Sequence, residues 1–377
     1  MDFLAIIQSA PVSFLIILTV LVFVHEFGHF FIARRNGVRV EVFSIGFGPE
    51  LFGWNDKANT RWKISAIPLG GYVKMFGDAD ATSSRAEGAE DMTDGERAVS
   101  FHHKRLSQRA AIVAAGPIAN FAFAILLLAG LYATVGQRQT PAVINEVSEN
   151  SAAAEAGLLA GDEIVRLDGT AIERFGDVQR IVSQSPDKTL ATIVLRDDKE
   201  VQLSVTPRRI ETKDAFGNEV VIGRLGVRSG QIRMVRLNPL SAAGHAAKDT
   251  WSFTIQTLDA VGQIIAGQRG SEELGGPLRI AQMSGDVAQT GIVTTIWFMA
   301  ILSINLGLIN LFPVPILDGG HLVFYIFEAL RGRPVGEKVQ EWASIAGLSL
   351  VIGLMLLVTW NDLVHLKVFE LSGSLFS

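Results

Sequence analysis

The chain has 377 residues and not one cysteine. That absence excludes disulfides and thiolate metal ligands, so any metal must be held by His, Asp, Glu or Asn. Charge is scarce as well: Asp, Glu, Lys and Arg together make up 19% of the residues. A formal net charge of −5 offers no basic field for the phosphates of a nucleic acid. The remainder is strongly apolar. Hydrophobic residues reach 49%, and the mean hydropathy is +0.32. Such a composition belongs to a membrane protein that carries a soluble part, and the length accommodates two or three domains. There is no internal repeat and no extended low-complexity tract.

Four stretches have the length and apolarity to cross a bilayer, at about 3–32, 110–135, 292–312 and 343–360. The first carries Asp2 rather than a basic start and lacks a small-residue cleavage site, so it reads as a retained helix and not a signal peptide. Its far end holds His25-Glu26-Phe27-Gly28-His29. In a helix the two imidazoles lie one turn apart on one face and can share a metal, while the glutamate between them can act on water. The pattern also arises by chance in soluble helices. Inside a hydrocarbon-length helix, however, each ionisable group costs about 2.5–3.5 kcal/mol, and three together imply a compensating role. Basic residues set the orientation. Arg34, Arg35, Arg39, Lys57, Arg61, Lys63, Lys74, Lys104, Arg105 and Arg109 lie between the first two spans, and Arg331, Arg333 and Lys338 between the last two. The positive-inside rule puts both loops in the cytoplasm, both termini and residues 136–291 outside, and the histidines near the cytoplasmic face.

Two nitrogen ligands leave a metal shell unfinished. The third candidate lies in Asn310-Leu311-Phe312-Pro313-Val314-Pro315-Ile316-Leu317-Asp318-Gly319-Gly320. The prolines break the third span and the paired glycines let the chain turn closely, which sets Asp318 at the depth expected for His25 and His29. Its carboxylate can complete a His₂Asp shell with a fourth position left for water. Asn310 is a candidate to hydrogen-bond a substrate backbone or an oxyanion. The segment KISAIPLGGYVKM at 63–75 reads as a β-hairpin that dips into the membrane beside the site. Residues 78–100 read as a flexible cytoplasmic loop. His102-His103 reads as interfacial, not as a ligand pair.

Between the second and third spans, 137–208 reads as a compact α/β domain. It has a strand at 142–147, a short helix at 151–156 and a tight turn through Gly157, Leu158, Gly161 and Asp162 into the next strand. A hairpin turn at Asp168-Gly169, a helix at 175–185 and strands at 190–195 and 201–207 follow. The run AGLLAGDEIVRLDG resembles a PDZ domain, which binds extended peptides by adding a strand to a sheet edge, and the turn at Gly157, Leu158, Gly161 and Asp162 is the candidate peptide-binding loop. Residues 209–236 read as a linker, and 238–267 as an amphipathic helix that either lies on the outer membrane surface or packs on the PDZ-like domain.

Taken together, HEFGH, IPLGGYVKM, AAGPIANF at 114–121, the PDZ-like module, GGPLRIAQ at 275–282 and NLFPVPILDGG resemble the site-2 protease family, in the form of the bacterial regulator of sigma-E protease type. The resemblance covers almost the whole chain, with the motifs in the family's order. It implies an α-helical polytopic membrane protein of four transmembrane helices with a membrane-associated β-hairpin, plus one inserted α/β PDZ domain. The implied plan is a first span with HExxH at 1–32, a cytoplasmic segment at 33–109, a second span at 110–136 and the periplasmic PDZ domain at 137–208. A linker and juxtamembrane helix at 209–291, the third span with its break at 292–320, a cytoplasmic loop at 321–340, a fourth span at 341–362 and a tail at 363–377 complete it. The resemblance further implies intramembrane proteolysis with Zn2+ on His25, His29 and Asp318, and Glu26 as the catalytic acid/base. Gly70, Gly71, Tyr72, Val73, Asn310, Pro313 and Pro315 would hold the substrate strand. The implied home is a bacterial inner membrane, and the implied partners are the lipid bilayer and single-pass membrane proteins, such as an anti-sigma factor after a first outside cleavage, or remnant signal peptides. One departure is that well-studied enterobacterial members carry two tandem PDZ domains, whereas this insert has room for one. Two other classes compete. A metal transporter would spread polar residues along several spans, and an inactive PDZ scaffold would have no use for an intact HExxH with Asp318.

Overall fold

The computed structural model describes residues 9–78, 92–172, 174–213, 219–230, 233–267 and 275–365. The start of the expected first span, most of the expected acidic loop and the expected tail beyond 365 lie outside them. The chain falls into two compact units, Tyr132–Pro239 and the residues on either side of it, Met1–Leu131 with Leu240–Ser377. Among the described residues, four helices are long and apolar enough to cross a membrane: Ala10–Arg35, Leu106–Thr134, Ile292–Asn310 and Lys338–Val364.

The membrane-type unit begins with helix α1 (Ala10–Arg35), strands β1 (Val40–Asn55) and β2 (Arg61–Met75), helix α2 (Asp94–Val99) and helix α3 (Leu106–Thr134). One residue turns about 100° around a helix, so α1 presents three different faces. Phe23 and Phe30, seven apart, meet Phe43 of β1 at ring-centroid distances of 5.7 and 5.6 Å. Trp62 stacks on Phe43 at 4.3 Å and extends this aromatic seam. Gly28, His25 and His29 face α3. Val22 and Glu26, four apart, face Gly71 of β2.

The sheet differs from the expected hairpin within 63–75. Residues 61–75 form one bent strand, and its partner is β1, which composition alone did not mark as a strand. Phe43 opposes both Val73 and Trp62, and Ile45 opposes both Gly71 and Ile64. The register therefore folds each strand back on itself and lays four lanes side by side: 71–75, 40–45, 61–65 and 50–55. Lane 71–75 is an edge, and its Gly71 meets Val22 and Glu26 of α1.

The second unit holds β3 (Gln137–Gln139), β4 (Glu146–Val147), helix α4 (Ala152–Glu155), β5 (Glu163–Leu167), β6 (Thr170–Ala171), helix α5 (Phe175–Ser183), β7 (Leu190–Arg196) and β8 (Lys199–Val205). β9 (Arg208–Lys213), β10 (Glu219–Arg224), β11 (Val227–Arg228) and β12 (Arg233–Val235) follow. A four-stranded sheet runs in the order β6-β5-β7-β8. Asp168 and Gly169 both take positive φ, 48° and 79°, as a tight two-residue hairpin turn requires. Its core includes Ile144, Leu158, Ile164, Leu167, Leu190, Val194, Val205 and Leu225, all nearly inaccessible. Leu225 corrects the expected boundary at 208. The segment read as a linker contributes β9 to β12 and a core side chain, because β11 pairs with β4 and β12 with β3.

The chain then forms helices α6 (Pro239–Ile265), α7 (Pro277–Thr290), α8 (Ile292–Asn310), α9 (Asp318–Arg331) and α10 (Glu337–His365). The expected 321–340 loop is thus mostly helix, since α9 starts at Asp318 and ends on Gly332 in the left-handed conformation that glycine adopts freely. Helix α6 leaves Leu240, Trp251 and Ile265 exposed, in keeping with an amphipathic element.

Candidate metal centre and active site

His25 Nε2 and His29 Nε2 are 3.2 Å apart. Asp318 Oδ2 stands 3.2 Å from the first and 3.5 Å from the second. Donors held tetrahedrally about 2.0–2.1 Å from one ion are themselves separated by about 3.4 Å, so the three have the spacing of a metal shell. The Asp318 oxygen is buried and, among the described residues, pairs with those two ring nitrogens and accepts no hydrogen bond. Among the described residues this is the one group of three such side chains able to converge on an ion.

The outer faces of both imidazoles are fixed as well. His29 Nδ1 lies 2.9 Å from the carbonyl oxygen of Ile112. A carbonyl only accepts, so Nδ1 carries the hydrogen and Nε2 keeps its lone pair for a metal. His25 Nδ1 lies 3.1 Å from the side-chain amide of Asn120. It is the Asn120 Nδ2 that faces the ring, and Oδ1 has no partner among the described residues; a half-turn of the amide, bringing that oxygen to Nδ1, gives His25 the same tautomer. These residues fit a zinc ion by donor type and spacing, and His29 by its tautomer as well.

Glycine makes the approach of α3 feasible. A Cβ on Gly116 would collide with His29 Nε2 and lie 2.9 Å from His25 Cε1. One on Gly28 would strike the Ala115 carbonyl and come within 2.8 Å of the Ala119 Cβ. Ser303 Oγ of α8 donates to the carbonyl of Asn120 at 2.8 Å, so the residue behind His25 is pinned from the third span. Gly319 and Gly320 close the turn that delivers Asp318, since a Cβ on either would run into carbonyls of the 311–315 segment. Two residues earlier Ile316 holds φ at 104°, a region costing a β-branched residue about 1–3 kcal/mol. Asp318 opens α9, where its charge also suits the positive end of the helix.

A cavity of about 220 Å³ lies over this cluster, and Glu26, Gly71, Tyr72, Val73, Asn310, His321 and Tyr325 are on its walls with the three donors. The Glu26 carboxylate lies toward the backbone N–H of Val73. Thus the structure brings together His25, Glu26, His29, Asp318, Gly71, Tyr72, Val73 and Asn310, as expected from the sequence. Asn310 spends its amide on the carbonyl of Leu306 at 3.0 Å. Gly70, Pro313 and Pro315 are not on the cavity wall. Gly70 (φ 134°) lies against the Phe47 ring, and the prolines shape the turn before Asp318.

In the other unit, the four residues expected to form a peptide-binding loop have scaffold parts. Leu158 is 2% exposed and belongs to the core. Asp162 is buried, accepts the N–H of Leu159 at 2.9 Å and pairs with both guanidinium nitrogens of Arg196 at 2.7 Å. Gly157 and Gly161 supply positive φ to the same turn. Burial alone would raise the Asp162 carboxyl, but Arg196 and the Leu159 amide outweigh it and hold the group below the usual carboxylate range. His102 is a partner of Asp78 at 3.0 Å, and His103 Nδ1 lies 3.1 Å from Ser100 Oγ, so neither is a metal ligand.

Gly116 and Asn120, which pack on the two histidines, and His321 and Tyr325, on the cavity wall, are positions around the site that sequence reasoning left unassigned. The signal was present in AAGPIANF. A glycine and an asparagine four apart in an apolar span share a helical face, and an asparagine in a membrane helix calls for a partner.

The profile of peptidase family M50 matches residues 13–354. The chain belongs to peptidase family M50. This M50 chain is 46% identical over 360 residues to an Agrobacterium fabrum protein provisionally named a zinc metalloprotease, covering 94% of this chain and 96% of that one. It is 37% identical over 390 residues to Metalloprotease MmpA of Caulobacter vibrioides, covering 97% and 98%. A solved PDZ domain of an SdrC-like protein from Listeria innocua matches 25% of the chain and 98% of its own length at 19% identity, with a TM-score of 0.20 too slight to carry any argument. As an M50 member the protein is a zinc-dependent protease, and its four long apolar helices make it a membrane protein.

Proposed function

We propose that this protease hydrolyses peptide bonds inside the transmembrane segments of other membrane proteins. The observation that carries the reading is the cluster of His25, His29 and Asp318, whose histidines stand in a helix of membrane-spanning composition. Zinc on that cluster supplies Lewis acidity toward the scissile carbonyl and toward water. Glu26, beside both histidines, takes a proton from the attacking water and passes it to the departing amine, so one peptide bond and one water become a carboxylic acid and an amine. Asn310 steadies the substrate backbone.

A helical substrate has no free backbone groups to offer, so it must unwind before it is cut. Lane 71–75 is an edge against the cavity and supports capture of the unwound segment by strand addition. Apolar residues left exposed on the sheet, Leu51 at 70%, Phe52 at 62% and Leu69 at 56%, support its immersion in lipid.

The basic loops favour an active site near the cytoplasmic side of a bacterial inner membrane, with Tyr132–Pro239 on the periplasmic side. In this reading that unit is a single PDZ domain which hinders substrates whose outer portion is still bulky. The fitting substrates are single-pass proteins already trimmed outside, of the anti-sigma-factor kind in envelope stress signalling, with remnant signal peptides as a second class.

Glu26→Gln tests the reading. It should retain zinc and normal abundance yet leave a trimmed single-pass substrate uncut in membranes. Cleavage within the span by that variant would sink the proposal.

A further inference from the structure

The receiving edge ends abruptly. Along a strand, alternate residues aim their N–H and C=O groups to the same side. The Val73 N–H is turned toward the Glu26 carboxylate, which with Val73 lines the cavity. Met75, two residues on and therefore facing the same way, gives its N–H to Asp78 Oδ2 at 3.2 Å. So one carboxylate on the outer side of the edge belongs to the catalytic group, and the next closes the edge one β-repeat, about 6.6 Å, further along.

Asp78 is not free to swing aside. Its side chain is fully buried and lies 3.0 Å from His102 Nε2. Its own N–H returns to the Met75 carbonyl at 3.1 Å, which closes the turn. The turn is pinned on both sides, by Phe76 N–H to the Arg39 carbonyl at 2.8 Å and by Phe101 N–H to the Phe76 carbonyl at 3.1 Å. Gly77 (φ 99°) sits so tightly that a Cβ would be 2.6 Å from Ser100 Oγ. A carboxylate turned onto an edge strand is also a recognised way to stop further pairing.

We propose that Asp78, held by His102, is a register stop: it ends the pairing edge at Met75 and so fixes which peptide bond of an added substrate strand lies over Glu26. Asp78 acts as a positioning residue and touches no reacting atom. The proposal rests on strand addition at the edge formed by residues 71–75. Pairing has a side-chain period of two, so a one-residue slip would turn every substrate side chain over, and the permitted slip is two residues. Loss of the stop should move or split the cleavage point by two residues.

The absence of cysteine makes the test clean. In a Glu26→Gln background, Tyr72→Cys is crosslinked to a series of single-cysteine substrates, and the strongest-linking position reads the register. In the active protein, product masses read the cleavage point. Asp78→Ala should displace both by two residues or spread them. Asp78→Asn, whose amide oxygen still accepts the Met75 N–H, should keep the original register. Unchanged crosslinks and product masses in Asp78→Ala, with zinc retained, would overturn the register stop while leaving strand addition intact. Failure of Tyr72→Cys to link any substrate position would instead overturn strand addition, and the stop with it. Should Asp78→Ala not accumulate, His102→Ala leaves the carboxylate but removes its partner and should broaden the crosslinking peak, and an unbroadened peak overturns the proposal.

Discussion

The two units of this protein are held together by different physics. In Tyr132–Pro239, aliphatic side chains from scattered strands and helices are removed from water, and loss of hydrated apolar surface holds the core. In the membrane-type unit an apolar contact between helices replaces an equally apolar contact with lipid, so close approach at small residues and interhelical hydrogen bonds must do the positioning. The residues around the metal site follow that rule: Gly28, Gly116 and Gly307 admit neighbouring backbones or rings, and Asn120, Ser303 and the Ile112 carbonyl fix orientation. Precision in one unit is a matter of missing Cβ atoms, and stability in the other a matter of buried methyl groups.

The contrast can be broken most severely at Gly116. Gly116→Ala places a methyl group on His29 Nε2 and should abolish both zinc binding and cleavage, measured by metal analysis of the purified protein and by substrate processing. Retained zinc would show that α3 yields more easily than its contacts with α1 and α8 imply. The opposite change, a truncation, tests the second unit. Leu158→Ala should cost it about 2–5 kcal/mol through a cavity, seen as faster amide exchange in β5 and β7, while zinc content stays unchanged.

Smaller effects sharpen the comparison. Asn120→Ala removes the hydrogen bond behind His25 and should weaken zinc affinity about 10–100-fold in competition with a chelator, without loss of the fold. The gentlest probe is pH. The Asp162 carboxyl is held below its ordinary value, so its contribution to folding is complete above the unfolded pKa of about 3.9 and is lost as pH falls through that range toward the folded value. Amide protection of Ile164 and Leu167 should therefore decline as the pH falls below about 5, and Asp162→Asn should flatten the decline. An identical decline in that variant would assign it to other groups.

Much of the membrane-type unit was legible because its signals are local. Apolar length marked four spans, helical spacing joined His25 to His29, and the proline break with paired glycines marked the turn at Asp318. In the insert, the Asp168-Gly169 hairpin and the strands expected at 190–195 and 201–207 were equally plain, and the structure places them at Leu190–Arg196 and Lys199–Val205. The sheet was harder. β1 has no clean alternation, since its 40–45 lane is paired on both sides and its 50–55 lane on one, so its pairing with 61–75 could not be read from period alone. Leu158 and Asp162 looked like a binding loop because a glycine-rich turn has the same composition whether its side chains face inward or outward.

The sequence by itself determined the chemistry: no thiol, a His-Glu-His turn in a membrane helix and a carboxylate after a broken span. Only the tertiary structure decided what surrounds that chemistry. His29 meets the Ile112 carbonyl across a separation of 83 residues, and His25 meets Asn120 across 95. Periodicity fixes which face of one helix a residue occupies, but it carries no information about which distant helix will pack on that face. That choice follows from the fit of one small-residue surface to another, and it exists only once the chain has folded.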